Sequence, residues 1–202
     1  MFDTAHETII RTATQDDARE IAKFIAVSSD GVAEIEWHEQ ADIEHCDPLD
    51  IGERTYQNPE GDYSFTNSRI LEINGDVAGM LLAFGMPEAE PRYPENRPAA
   101  DDENVFAPYI YLEEPNSWYI CGVALYPQHR GQGLGTKLMD LANEQAKENG
   151  YTTLSLVAFE QNKGAVNLYD KLGYTVVDQA PVVPHPLIHY EGIALLMVRS
   201  VE

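Results

Sequence analysis

The chain has 202 residues, 44% of them hydrophobic, and a formal net charge of −21. This length supports one domain over residues 1–202 with a substantial core, and the charge argues against a nucleic-acid partner, since a phosphate backbone is bound by a basic surface. No apolar run approaches the roughly 18 residues of a membrane span, no signal peptide opens the chain, and Cys46 and Cys121 supply neither a disulfide framework nor a zinc spacing, which leaves the cytoplasm as the default location.

Thr8 to Arg11 reads as a short first strand. Thr14 then caps a helix with Asp16 and Asp17 in its first turn, where acids suit the helix dipole. Ala18, Ile21, Ala22 and Ile25 form the buried stripe of that helix. Gly31 to Asp62 is acidic and holds Trp37, His38, His45 and Cys46; it reads as one or two short helices, without a recognised metal-ligand spacing. The stretches Arg69–Ile73 and Val77–Phe84 flank Asn74-Gly75, a two-residue hairpin signal. Residues 85–116 form an acidic, proline-rich insertion. A loop of that length is a lid, a binding loop or a disordered segment, and Tyr93, Phe106, Tyr109 and Tyr111 favour a partly ordered flap.

Trp118 to Leu125 has the composition of a buried strand, and Pro127 ends it. Leu134, Leu138, Leu141 and Ala142 keep helical spacing up to a stop at Asn149-Gly150. A strand over Thr153–Phe159 follows, so the helix crosses over between parallel strands. Asn162 to Leu172 is a short helix, Thr175–Val177 begins another strand, Val183–Tyr190 is irregular, and Ile193–Arg199 is a last apolar strand. His185 and His189 are four apart, but Pro186 disfavours a regular helix there, so they read as loop residues rather than a metal pair.

The loop Arg130-Gly131-Gln132-Gly133-Leu134-Gly135-Thr136 carries the strongest chemical signal. Its glycines let backbone approach a ligand, the unpaired N–H groups of the following helix point at it, and Arg130 adds a cationic fork suited to phosphate oxygens. A pyrophosphate fits such a nest; a glycine turn that only packs closely is the plain alternative. The dinucleotide-binding fingerprint wants Gly or Ala where Thr136 stands and more βαβ units than the chain can hold, and a nucleotide P-loop lacks its Gly-Lys-Ser/Thr.

The segment resembles the acyl-CoA-binding segment of the GNAT superfamily N-acetyltransferases, with Arg130, Gly133 and Gly135 at the matching places. It follows a strand ending Val123-Ala124-Leu125-Tyr126-Pro127. A second segment of the same family is matched downstream by Asn162, Ala165, Tyr169, Gly173 and Tyr174. The resemblance is specific over Ser117–Val177 and general elsewhere. It implies an α/β fold: a mixed, mostly antiparallel central sheet with a splayed parallel strand pair, flanked by helices. It also implies acetyl-CoA as cosubstrate and no metal. Main-chain groups of Val123, Ala124 and Leu125 would hold the pantetheine arm. The amides of Arg130, Gly131, Gln132, Gly133, Leu134, Gly135 and Thr136 would hold the pyrophosphate, and the Asn162 side chain would bind the cofactor or cap its helix.

Acyl transfer to an amine needs a proton acceptor, a donor to the developing oxyanion and a proton for the departing thiolate. A strand N–H, that of Leu125, suits the second role, and Tyr169 suits the third as general acid, set against a merely packed aromatic. For the base, Tyr119 occupies the strand position where family members often carry a carboxylate; Glu114, with Glu113, lies just before the strand, and His189 is a further candidate. Cys121 reads as a small buried hydrophobe rather than an acyl carrier. The expected reaction is direct attack by a primary amine, of a small molecule or a peptide, in a ternary complex. In that setting the insertion would border the acceptor cleft, and the acidic charge reflects a saline host or steering of cationic amines. Similar proteins are commonly homodimers. A rival reading is a non-catalytic acyl-CoA sensor or interaction module on the same fold. A nicotinamide-dependent oxidoreductase with Glu160 as ribose-binding acid is the third, although Glu160 lies beyond the spacing of about 20 residues that this chemistry uses.

Overall fold

A computed structural model describes residues 7–88, 104–110 and 112–202. Tyr93, Tyr111 and half of the insertion lie outside those residues. Seven strands form one sheet in the order β1-β2-β3-β4-β5-β7-β6. They are β1 (Thr8–Thr12), β2 (Ser68–Ile73), β3 (Asp76–Gly85), β4 (Trp118–Leu125), β5 (Thr153–Phe159), β6 (Thr175–Pro181) and β7 (Ile193–Ser200). The helices are α1 (Ala18–Ser28), α2 (Val32–Glu44), α3 (Pro48–Gln57), α4 (Ala107–Ile110), α5 (Leu134–Glu148) and α6 (Lys163–Lys171). β4 and β5 are parallel, with register at Trp118↔Leu154 and Tyr119↔Ser155 only, and the β1–β2, β2–β3, β5–β7 and β6–β7 pairs are antiparallel. This is the mixed sheet with one splayed parallel pair that the resemblance implied. The chain gathers into two compact units: residues 1–29, 33–82 and 122–138, and residues 30–32, 83–121 and 139–202.

In the first unit, Asn74 and Gly75 take φ of 54° and 87°, the left-handed pair that a two-residue hairpin turn requires. The α1 stripe is buried as its spacing predicts, with Phe24 added to it. The stretch that read as one or two short helices holds two. Asp47 starts α3, its carboxylate accepting the Leu49 N–H at 2.8 Å, with Pro48 at the first helical position, where its missing N–H costs nothing. α2 buries Ile35, Trp37 and Ala41 between acidic neighbours, so no clean stripe marks it in the sequence. Trp37 meets the edge of Tyr56 at 6.3 Å between ring centres.

Asp17 anchors the start of this unit. Its carboxylate accepts from both terminal nitrogens of Arg11, at 2.7 and 2.8 Å, and from the N–H and hydroxyl of Thr14, at 2.7 and 2.9 Å. The Arg11 guanidinium, helped by Thr14 and opposed by burial, lowers the Asp17 pKa from 3.8 to about 2. The folded value is depressed, so the group's stabilisation is present above the unfolded value and lost as pH falls towards the folded one. A loss of about 2 kcal/mol is expected across that window. Urea midpoints at several acidic pH values should show wild type losing stability there more steeply than Asp17→Asn. Parallel curves would deny Asp17 this role.

In the second unit, Leu112, Phe159, Val182, Ala194 and Leu196 form a core cluster, with Tyr109, Ile188 and Tyr190 packed against it. The hydroxyls of Ser117 and Ser155 meet at 2.6 Å, buried where the parallel pairing begins. On α5 the buried positions are Leu134, Leu138, Met139, Ala142, Gln145 and Ala146, whereas Leu141 is half-buried. At about 100° per residue Leu141 falls at the margin of the stripe and Met139 within it.

Candidate active site

β4 alternates along its length. Trp118, Ile120 and Ala124 are buried, whereas Tyr119, Cys121, Val123 and Leu125 are half-buried on the opposite face, as a period of two dictates. Pro127–His129 form one 3-10 turn, and the chain then runs through Arg130 into the glycine loop. Gly131 and Gly133 take φ of 73° and 78°, and a Cβ built on either meets nothing within 4 Å. They are therefore needed for backbone conformation rather than for close packing, and the space above them is open. The first α5 hydrogen bond runs from the Lys137 N–H to the Gly133 carbonyl at 3.2 Å. Among the described residues the main-chain N–H groups of Gly131, Gln132, Gly133, Leu134, Gly135 and Thr136 make no hydrogen bond. Six unengaged donors thus lie at the start of a 15-residue helix, whose positive end favours an anion. Arg130 is exposed and donates from Nε to the Leu125 carbonyl at 3.1 Å, which tethers its guanidinium at the strand's end. Gln132 donates to the Gln128 carbonyl at 3.1 Å and stiffens the same loop.

The second unit holds the other candidates. Asn162 caps α6: its Oδ1 accepts the Ala165 N–H at 3.2 Å, and its Nδ2 donates to Asp30 Oδ2 at 3.2 Å. One Nδ2 hydrogen and one Oδ1 lone pair remain for a ligand. Tyr169, seven residues along, is buried, with its ring centre 5.8 Å from that of Tyr174. Burial first, and then the charge of Asp30, push its hydroxyl up to about 12, so it is protonated at neutral pH. The Tyr174 hydroxyl is buried without a partner among the described residues, and Arg199 lies over its ring at 5.4 Å.

Tyr119 packs its ring 5.6 Å from Phe84. Glu114 is half-buried, with its main-chain carbonyl accepting from the Ser117 hydroxyl at 2.7 Å, and Glu113 is exposed. His189 is exposed, and its N–H donates to the Asp30 carbonyl at 2.9 Å. His185 turns its Nδ1 to the Leu187 N–H at 3.3 Å. Among the described residues no three His, Cys, Asp or Glu side chains gather as a metal site, and no helix is long and apolar enough to cross a membrane.

Asp30 is the residue that sequence reasoning passed over. It takes a left-handed φ of 50°, followed by Gly31 at 96°, where a Cβ would lie 1.8 Å from the Leu187 carbonyl oxygen. Only glycine lets this turn press against residues 187–189. The Asp-Gly pair is a turn signal in the sequence, but the partner of its carboxylate lies 132 positions away.

A family profile described as "Acetyltransferase (GNAT) family" matches residues 29–174. The chain belongs to this family. Among curated GNAT relatives, a mouse thialysine N-epsilon-acetyltransferase is 42% identical over 64 residues, 32% of this chain and 33% of that protein. An L-amino acid N-acyltransferase of Escherichia coli is 33% identical over 61 residues, 30% of this chain and 36% of that one. The matched segments thus span about a third of those relatives' own length. Of solved structures, an acetyltransferase covers 96% of this chain and 100% of its own at 24% identity, with a TM-score of 0.63. An acetyl-CoA complex from Salmonella typhimurium covers 97% and 95% at 18% identity, with a TM-score of 0.55. These likenesses show the GNAT fold.

Proposed function

We propose that this GNAT protein transfers the acetyl group of acetyl-CoA to a primary amine, by direct attack in a ternary complex. The observation that carries the reading is the row of six unengaged N–H groups from Gly131 to Thr136 beside Arg130, a donor set whose number and charge match a diphosphate. Main-chain groups of Val123, Ala124 and Leu125 hold the pantetheine arm, and Asn162 adds its remaining amide valences. Bound acetyl-CoA supplies an activated thioester. The Leu125 N–H stabilises the developing oxyanion, and Tyr169, protonated at neutral pH, gives its proton to the departing sulfur. Glu114 and Tyr119 remain candidates on the acceptor side. We read the chain as a single domain over 1–202.

Release of CoA thiol from acetyl-CoA should be measured against thialysine and a panel of L-amino acids, which the names of the two relatives recommend. Turnover on one of them is the expected result. Tight acetyl-CoA binding without turnover on any amine would replace the enzyme by a non-catalytic acyl-CoA sensor. Arg130→Ala is expected to weaken acetyl-CoA binding roughly 10- to 100-fold, the worth of a hydrogen bond to a charged group. An unchanged dissociation constant by calorimetry would remove Arg130 from the diphosphate site.

A further inference from the structure

The proposed acyl transfer leaves one carboxylate unused. Asp30 is half-buried, yet among the described residues its side chain receives a single hydrogen bond, the 3.2 Å donation from Asn162. It forms no ion pair with any Lys, Arg or His among the described residues. An ionised carboxylate accepts about four hydrogen bonds, and one removed from water is normally paired. Among the described residues, Asn162 of α6 donates to it, and it couples electrostatically to Tyr169 of α6, Tyr109 of α4 and His189 of the 185–190 segment. The Tyr109 hydroxyl is buried without a partner among the described residues. Tyr109, Phe159 and Tyr190 form a row of rings, with centres 6.1 and 5.6 Å apart. Burial raises the Asp30 carboxyl above its ordinary range, against the Asn162 hydrogen bond and the positive form of His189. The negative charge is thus under-compensated where it stands.

An alkylammonium group supplies what this turn lacks: a positive charge, three donors and a preference for aromatic faces. We propose that Asp30 is the acceptor-side carboxylate, pairing with the ammonium of an alkylamine acceptor and taking one of its protons before attack. This rests on the acetyltransferase reading. R–NH3+ gives one proton to the Asp30 carboxylate, and the freed lone pair forms the N–C bond to the thioester carbonyl. As the C–S bond breaks, Tyr169 protonates sulfur and is reprotonated by the second proton leaving nitrogen. Asp30 then returns its proton to water, so each turnover releases one proton, the amide and the thiol.

Asp30→Asn suits the test, because Asn tolerates a left-handed φ and its carbonyl keeps the bond from Asn162. The probes are n-butylammonium and its neutral counterpart n-butanol, titrated by NMR into the CoA-loaded protein, where no acetyl group is available to react. Wild type should prefer the ammonium by roughly tenfold or more, as expected of a charge-assisted hydrogen bond. Asp30→Asn should lose that preference while its dissociation constant for acetyl-CoA stays unchanged. Its KM for alkylamine acceptors should rise. Equal binding of the two probes by wild type, or an equal preference in the variant, overturns the assignment. A variant that acetylates amines with wild-type KM also overturns it and leaves the transferase standing. Ammonium binding that depends on Asp30 without turnover of any amine keeps the carboxylate site and removes the transferase.

Discussion

Tyr169→Phe is expected to lower turnover about 10²- to 10⁴-fold, the usual contribution of a positioned general acid, with acetyl-CoA affinity unchanged. The substitution is clean on structural grounds. The ring is buried and packs beside Tyr174, and Phe keeps both the ring and its contacts. The hydroxyl makes no hydrogen bond among the described residues, so its loss orphans no partner, and the melting temperature should hold or rise slightly. A fall in turnover therefore cannot be attributed to unfolding. The raised pKa of about 12 matters in the same argument. It makes the phenol a weak acid in the free protein but keeps the proton in place until a thiolate forms. Thiol release at saturating acetyl-CoA, compared with acetyl-CoA affinity by calorimetry, checks both halves. Wild-type turnover would return Tyr169 to the role of a packed aromatic.

Phe24→Ala is expected to cost about 3–5 kcal/mol of stability, because a buried ring is lost and the space is only partly refilled. Phe24 is 1% exposed and packs against Tyr126 with the rings tilted by 47° and their centres 4.6 Å apart. Tyr126 donates its hydroxyl to Glu20 and its main-chain N–H to the Ala78 carbonyl, the latter at 2.9 Å. Tyr126 immediately precedes the Pro127 turn, so the cavity opens beside the residue that leads the chain into the glycine loop. For a chain of this size the melting temperature should fall by roughly 6–20 °C. Tyr126→Phe is the control. It keeps the ring and loses one hydrogen bond, so about 1 kcal/mol is expected. Equal losses in the two variants would show that the Tyr126 hydrogen bond, not the packing of Phe24, holds this corner.

The parts of the fold that could be read in advance were those with a local cause. Asn74-Gly75 demands left-handed φ at two successive residues, Pro127 cannot extend a ladder, and the α1 stripe repeats at helical spacing. Each of these can be seen within a dozen residues. The bounds of α2 were harder to read because Glu34 and Glu36 alternate with Ile35 and Trp37, which blurs the helical period. The Asp47-Pro48 start of α3 was present as a capping signal and went unused. In the site the same division holds. The glycine loop and Asn162 are marked by neighbours in the chain, whereas the surroundings of Asp30 are assembled from residues near 109, 162, 169 and 189 and exist only once the chain is folded.

The two left-handed glycines of the loop reverse the ordinary rule that exposed positions vary freely. A comprehensive substitution library should find Gly131 and Gly133 among the most restrictive sites on the surface, although nothing crowds them, because every replacement with a side chain must enter a backbone region disfavoured by about 1–2 kcal/mol. Gln132, flanked by both and equally open, should accept many residues. Such an alternation over three positions would be the mutational imprint of a loop shaped for its main chain.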